Sequence, residues 1–149
     1  MDSIVTVIED SVFIVEAAGQ GPAGPSGPTG SSGSPYMAFM ADGPLSGQRV
    51  VRPTTAGKVG YADSSTPAHA NIVIGITTGA VSDASPVSVQ AFGVMTEPTW
   101  AWIPDLPVFC GVNGALTQTP PISGFSLVVG IATSPTDLVV GIKQPINVS

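Results

Sequence analysis

Charge is what this chain has least of. Asp, Glu, Lys and Arg together make up 9 % of its 149 residues, against about 25 % in typical soluble proteins. Only four are basic, and the first of these is Arg49. Nucleic-acid binding needs lysine and arginine clustered to neutralise phosphates, so this composition excludes it. Asp2, Glu9, Asp10, Glu16 and Asp42 precede Arg49 with no cation to balance them, and the net charge is −6. The missing amino-terminal basic stretch argues against a secretory signal, and no apolar run reaches the ~18 residues of a membrane-spanning helix. A soluble protein that is not exported and has no membrane partner is the expectation. Low charge with positive mean hydropathy points to surface buried between subunits or against a larger assembly.

Reactive side chains are as scarce. There is one cysteine, Cys110, and one histidine, His69. A single cysteine rules out a disulfide within the chain, and the apolar run Pro107-Val-Phe-Cys-Gly-Val reads it as a buried small hydrophobe. One histidine without a G-x-S-x-G elbow gives no Ser-His-Asp arrangement, and a His/Cys metal set cannot be assembled within one chain. Asp63, Asp83, Glu97, Asp105 and Asp137 are scattered among turn positions, where Asp stabilises the local backbone. No enzymatic activity, no cofactor and no metal are expected. Gly19-Gln-Gly21-Pro-Ala-Gly24 has the G-x-G-x-x-G spacing of dinucleotide-binding turns. Pro22, Pro25 and Pro28 forbid the helix whose N–H groups would have to face the pyrophosphate.

Glycine and proline are abundant instead, with 18 and 15 residues. Gly21, Gly24, Gly27, Gly30 and Gly33 open five consecutive Gly-X-Y triplets that end at Pro35. Only glycine fits the axis where three polyproline II chains meet, so this period predicts a collagen-like stem and three parallel copies of the chain, with a flexible Gly/Pro/Ser linker as the alternative. At about 3.1 Å per residue, the triplets from Gly21 to Pro35, within a stem taken as 19–35, correspond to a rod of roughly 45 Å. Polyproline II has no internal hydrogen bonds, so so short a stem cannot drive trimerisation and flanking parts must supply the clamp.

Residues 1–18 contain two runs rich in β-branched residues, Ile4-Val5-Thr-Val7-Ile8 and Val12-Phe13-Ile14-Val15, separated by Glu9-Asp10-Ser11. They predict a β-strand arm too small to fold alone, suited to docking on another protein by strand addition. Residues 36–149 carry strand-length apolar segments punctuated by turn residues, and no helical period. Strands are expected at 36–40, 48–52, 58–62, 72–77, 87–94, 108–112, 127–132 and 138–143. The fold class is therefore all-β: a small β-barrel or sandwich that trimerises, preceded by the arm and the stem. Asn113-Gly114 predicts a type I′ turn leading into Ala115–Thr117. Ile72-Val-Ile-Gly-Ile-Thr-Thr resembles Leu127-Val-Val-Gly-Ile-Ala-Thr, which suggests two similar hairpins within one barrel, with Gly75 and Gly130 at bulges or close backbone approaches. Trp100 and Trp102 would share a face on a strand, as an aromatic contact at an interface or core, or as a platform for sugar stacking.

The order of parts, with Gly57-Lys-Val-Gly-Tyr-Ala-Asp, Ala68-His-Ala-Asn-Ile-Val-Ile-Gly-Ile-Thr, the segment Pro107 to Phe125 and the ending Gly141-Ile-Lys-Gln-Pro-Ile, resembles phage head fibres and capsid decoration (cement) proteins. That resemblance implies a structural homotrimer bound to the exterior of the virion capsid, with the major capsid protein as partner. A tail fibre or receptor-binding protein recognising a host glycan is the alternative.

Overall fold

The computed structural model describes residues 34–148. The arm over 1–18 and the triplet glycines Gly21, Gly24, Gly27, Gly30 and Gly33 lie outside the described residues. The chain from Pro35 onward forms one compact unit. It is all-β, with no α-helix among the described residues and only two short 3-10 turns, at Pro67–His69 and Val112–Gly114.

The first five strands are β1 (Tyr36–Ala41), β2 (Val50–Pro53), β3 (Lys58–Tyr61), β4 (Gly75–Thr77) and β5 (Pro86–Gln90). They close into a barrel in the order β1-β3-β2-β4-β5, with β5 returning to β1. Valine and other small apolar residues let so narrow a barrel fill itself. Ala41, Leu45, Val51, Val59, Val87 and Val89 form that interior, and Leu45 is held by a bridge to Val81. Side chains alternate along a strand. Val50 and Ile76 therefore leave the barrel and join a second cluster, which they share with Met95, Val108, Cys110, Phe125, Leu127, Val129, Leu138 and Val140.

Most of that cluster comes from the second sheet: β6 (Phe92–Thr96), β7 (Pro107–Cys110), β8 (Leu116–Thr117), β10 (Val128–Ala132) and β11 (Asp137–Gly141), in the order β6-β11-β10-β7-β8. A two-stranded sheet of β9 (Gly124–Ser126) and β12 (Ile146–Val148) completes the fold. The expected strand over 87–94 is divided at Ala91, whose N–H donates to the Pro35 carbonyl at 2.8 Å. There the chain leaves the barrel and enters the second sheet.

The second sheet repeats the barrel strand for strand. β6, β7, β8, β10 and β11 adopt the connections and neighbours of β1, β2, β3, β4 and β5. On β2 and β3 Arg52 faces Gly60, and on β7 and β8 Phe109 faces Thr117. The turns between them match bond for bond. Lys58 N–H reaches Thr55 O at 2.9 Å and Thr54 N–H reaches Lys58 O at 3.0 Å; Ala115 N–H reaches Val112 O at 3.2 Å and Gly111 N–H reaches Ala115 O at 2.7 Å. Asn113 and Gly114 both have positive φ (54° and 73°), the type I′ conformation that their sequence specifies. The similar heptapeptides lie on β4 and β10, but in two sheets and not in one barrel. One difference separates the copies: β1 closes the first by a short parallel pairing with β3, whereas β6 and β8, at opposite edges of the second, do not pair with each other.

Candidate functional site

The connection from β6 to β7 carries the tryptophans in a loop, not on a strand. The Glu97 carboxylate starts the loop by accepting hydrogen bonds from the Thr99 hydroxyl (2.8 Å) and backbone N–H (3.2 Å). Trp102 N–H donates to Pro135 O at 2.9 Å, and Gln118 clamps the far end through both hydrogen bonds to the Ile103 backbone. The indole rings of Trp100 and Trp102 lie 5.3 Å apart and tilted by 50°, and both pack against the cluster shared by the barrel and the second sheet. The Trp102 indole N–H is buried without a partner. A tilted, half-buried pair is shaped as packing at the margin of that cluster. A sugar platform would need a ring face laid flat to solvent.

Three further carboxylates are occupied by hydrogen bonds. Asp63 accepts from the Ser65 hydroxyl at 2.6 Å and backbone N–H at 2.9 Å, Asp83 accepts from Gly43 N–H at 2.8 Å, and Asp137 accepts from the Thr96 hydroxyl at 2.6 Å. The Ser65 hydroxyl is the main reason that the Asp63 carboxyl lies below the usual carboxylate range. His69 accepts the Asp63 backbone N–H at Nδ1, 3.0 Å away. Burial first and the Arg52 charge second lower its basicity, against the opposing pull of Asp63. Cys110 is buried, and that burial, with Asp63 adding to it, pushes the thiol up to about 12. A thiol so placed is no nucleophile. Among the described residues no three His, Cys, Asp or Glu side chains gather as a metal site.

Two recesses stand out among the described residues. The first, about 390 Å³, is lined by Tyr36, Gln48, Thr78, Ser88, Gln90, Val94, Met95 and Thr96, an uncharged set of hydroxyls and amides with one ring. The second, about 350 Å³, is apolar and lies on the second sheet over Gly130, Ile131, Val139 and Gly141, with Lys143 at its rim.

Around this second recess is the feature that sequence reasoning missed. Val94 faces Val139 across β6 and β11, and Val139 faces Ile131 across β11 and β10. The three side chains form one row on the outer wall of the second sheet, 60 %, 39 % and 43 % exposed, with Phe92 (48 %) two residues from Val94 on the same face. A signal for it was present: Asp137-Leu-Val-Val-Gly and Val128-Val-Gly-Ile-Ala are apolar at consecutive positions, a pattern suited to strands covered on both faces rather than one. No protein-family model matches the chain, and no curated protein matches it either.

Proposed function

We propose that the protein is a structural component of a phage virion, a homotrimer that decorates the exterior of the capsid by contact with the major capsid protein. The observation that carries this reading is the run of five Gly-X-Y triplets ending at Pro35, because that period is stable only where three parallel chains meet. The β-domain fits the part of the clamp that so short a stem needs. Four of its carboxylates are taken up in hydrogen bonds, its thiol is buried, and its unusually uncharged surface suits a protein that is covered in an assembly. The arm, through Ile4, Val5, Val7, Ile8, Val12, Phe13, Ile14 and Val15, docks by adding strands to capsid subunits. Three weak arms on one trimer reinforce each other, because after the first contact the others act at high effective concentration. The reading involves no nucleic acid, membrane or cofactor.

Light scattering and cosedimentation test it. The full chain should have the mass of a trimer and sediment with assembled capsids. A variant lacking residues 1–18 should remain trimeric and stay in the supernatant. A monomeric full chain, or one that leaves capsids bare, would sink the proposal.

One observation favours a second reading, a fibre that binds a host glycan. The first recess offers Gln48, Thr78, Ser88 and Thr96 beside the Tyr36 ring, a neutral hydrogen-bonding lining suited to sugar hydroxyls. Binding of the full chain on a glycan array, lost on Gln48→Ala, would establish it.

A further inference from the structure

The two copies of the five-stranded unit differ in what covers their outer walls. In the first unit the residues corresponding to Ile131 and Val139 are Ile76 on β4 and Gln90 on β5, which face each other across the ladder as Ile131 and Val139 do. Ile76 is 0 % and Gln90 3 % exposed, because the second unit shares the cluster on that side. The second unit carries the same wall with apolar residues, and nothing in the chain from Pro35 to Val148 covers it. The layers therefore run from barrel interior to barrel wall to second sheet, then stop at an apolar surface with a hollow at its centre.

The point where the rest of the chain joins the domain lies beside this surface. Pro35, the last residue of the triplets, accepts the hydrogen bond from Ala91, and Phe92 is the next residue along. Chains in a triple helix lie close to their common axis. Three chains whose triplets met at Pro35 would hold Ala91, and with it Phe92, close to their common axis. The strands of the wall have a composition to match. β6 and β10 contain no charged residue, and on β11 only Asp137 does, at the far end from Phe92 and already bonded to Thr96. Beyond β11, Lys143 contributes to the lining of the hollow.

We infer that the outer wall of the second sheet, formed by Phe92, Val94, Ile131 and Val139, packs against a second copy of this chain around a threefold axis. The inference rests on the trimer of the preceding section and names the surface that clamps it. A contact about a threefold axis is heterologous, one patch meeting a different patch of the neighbour. The hollow over Gly130 and Gly141 accordingly receives a side chain from the adjacent copy, while the Phe92 rings meet at the axis.

The experiment compares the full chain with the V94E/V139E variant by light scattering. Both side chains are exposed, so the variant should keep the wild-type circular dichroism spectrum while its mass falls from three chains to one. A folded variant that stays trimeric overturns the interface and leaves the trimer standing. A monomeric wild-type chain overturns both. Should the double variant fail to fold, Phe92→Cys answers the same question. Treatment with a short bismaleimide should join its chains covalently, and wild type, whose Cys110 is buried, should remain uncoupled. A Phe92→Cys chain that does not cross-link overturns the axial placement.

Discussion

Gly75 and Gly130 stand at the same place in two copies of one fold. A Cβ on Gly75 would lie 2.6 Å from the Gln90 carbonyl oxygen and 2.7 Å from a Val89 methyl. A Cβ on Gly130 would lie 2.6 Å from the Val139 carbonyl oxygen and 2.7 Å from a Leu138 methyl. In each unit the fourth strand runs so close to the fifth that no side chain fits, and at Gly130 the ladder toward β7 is also irregular.

Gly75→Ala and Gly130→Ala should therefore each destabilise the domain, by about 1–3 kcal/mol as overpacking against backbone does. Urea unfolding of the two variants should show losses of similar size. An unchanged midpoint for either would mean that the strands can separate freely at that corner.

Ile76 tests the joint between the units. It leaves the barrel and is fully buried in the shared cluster, so Ile76→Ala opens a cavity between the layers and should cost about 2–5 kcal/mol. Ile131→Ala, its counterpart on the uncovered wall, should cost much less at protein concentrations where the chain is monomeric. Equal losses at the two sites would contradict the difference in cover.

Acid should weaken the fold in two steps. His69 and Asp63 both titrate below their ordinary values of 6.5 and 3.8 in the folded protein. The unfolded chain therefore takes up protons first as the pH falls, and stability declines with acid. The stability associated with His69 is complete above about pH 6.5 and is lost as pH falls toward its folded value; that of Asp63 is lost below about pH 3.8. Thermal melts should show both declines, with His69→Gln removing the first and Asp63→Asn the second.

Cys110 should be silent toward thiol reagents. With its pKa near 12, almost no thiolate exists at pH 8, and burial blocks access. Disulfide-exchange titration should detect no thiol in the folded protein and one per chain in denaturant. Fast labelling without denaturant would show that the cluster opens readily.

Much of this architecture was legible in the sequence, because its signals are local. The strands at 36–40 and 58–62 follow from β-branched and aromatic runs between turn residues, and Asn113-Gly114 specified its turn through two residues that tolerate positive φ. The break at Ala91 was not legible, since the group that takes its N–H, the Pro35 carbonyl, is far away in the chain. β9 and β12 are three residues each, too short for alternation to register. Only one heptapeptide betrayed the duplication. The β2–β3 and β7–β8 hairpins share their hydrogen bonds, whereas their turn sequences, Thr54-Thr-Ala-Gly57 and Gly111-Val-Asn-Gly114, share a single glycine in register. Trp100 and Trp102 sit in a loop whose course depends on Glu97, Pro135 and Gln118, and their spacing alone could not place them.

The bond between Pro35 and Ala91 also has a mechanical side. Any pull on the chain ahead of the domain enters through β1, which is gripped along its length by β5 and at its far end by β3. The Pro35–Ala91 bond takes part of that load and ties the strand to the residue between barrel and second sheet. Force arriving there is divided between barrel and second sheet, so the domain resists a tug at its seam with both halves rather than surrendering one strand.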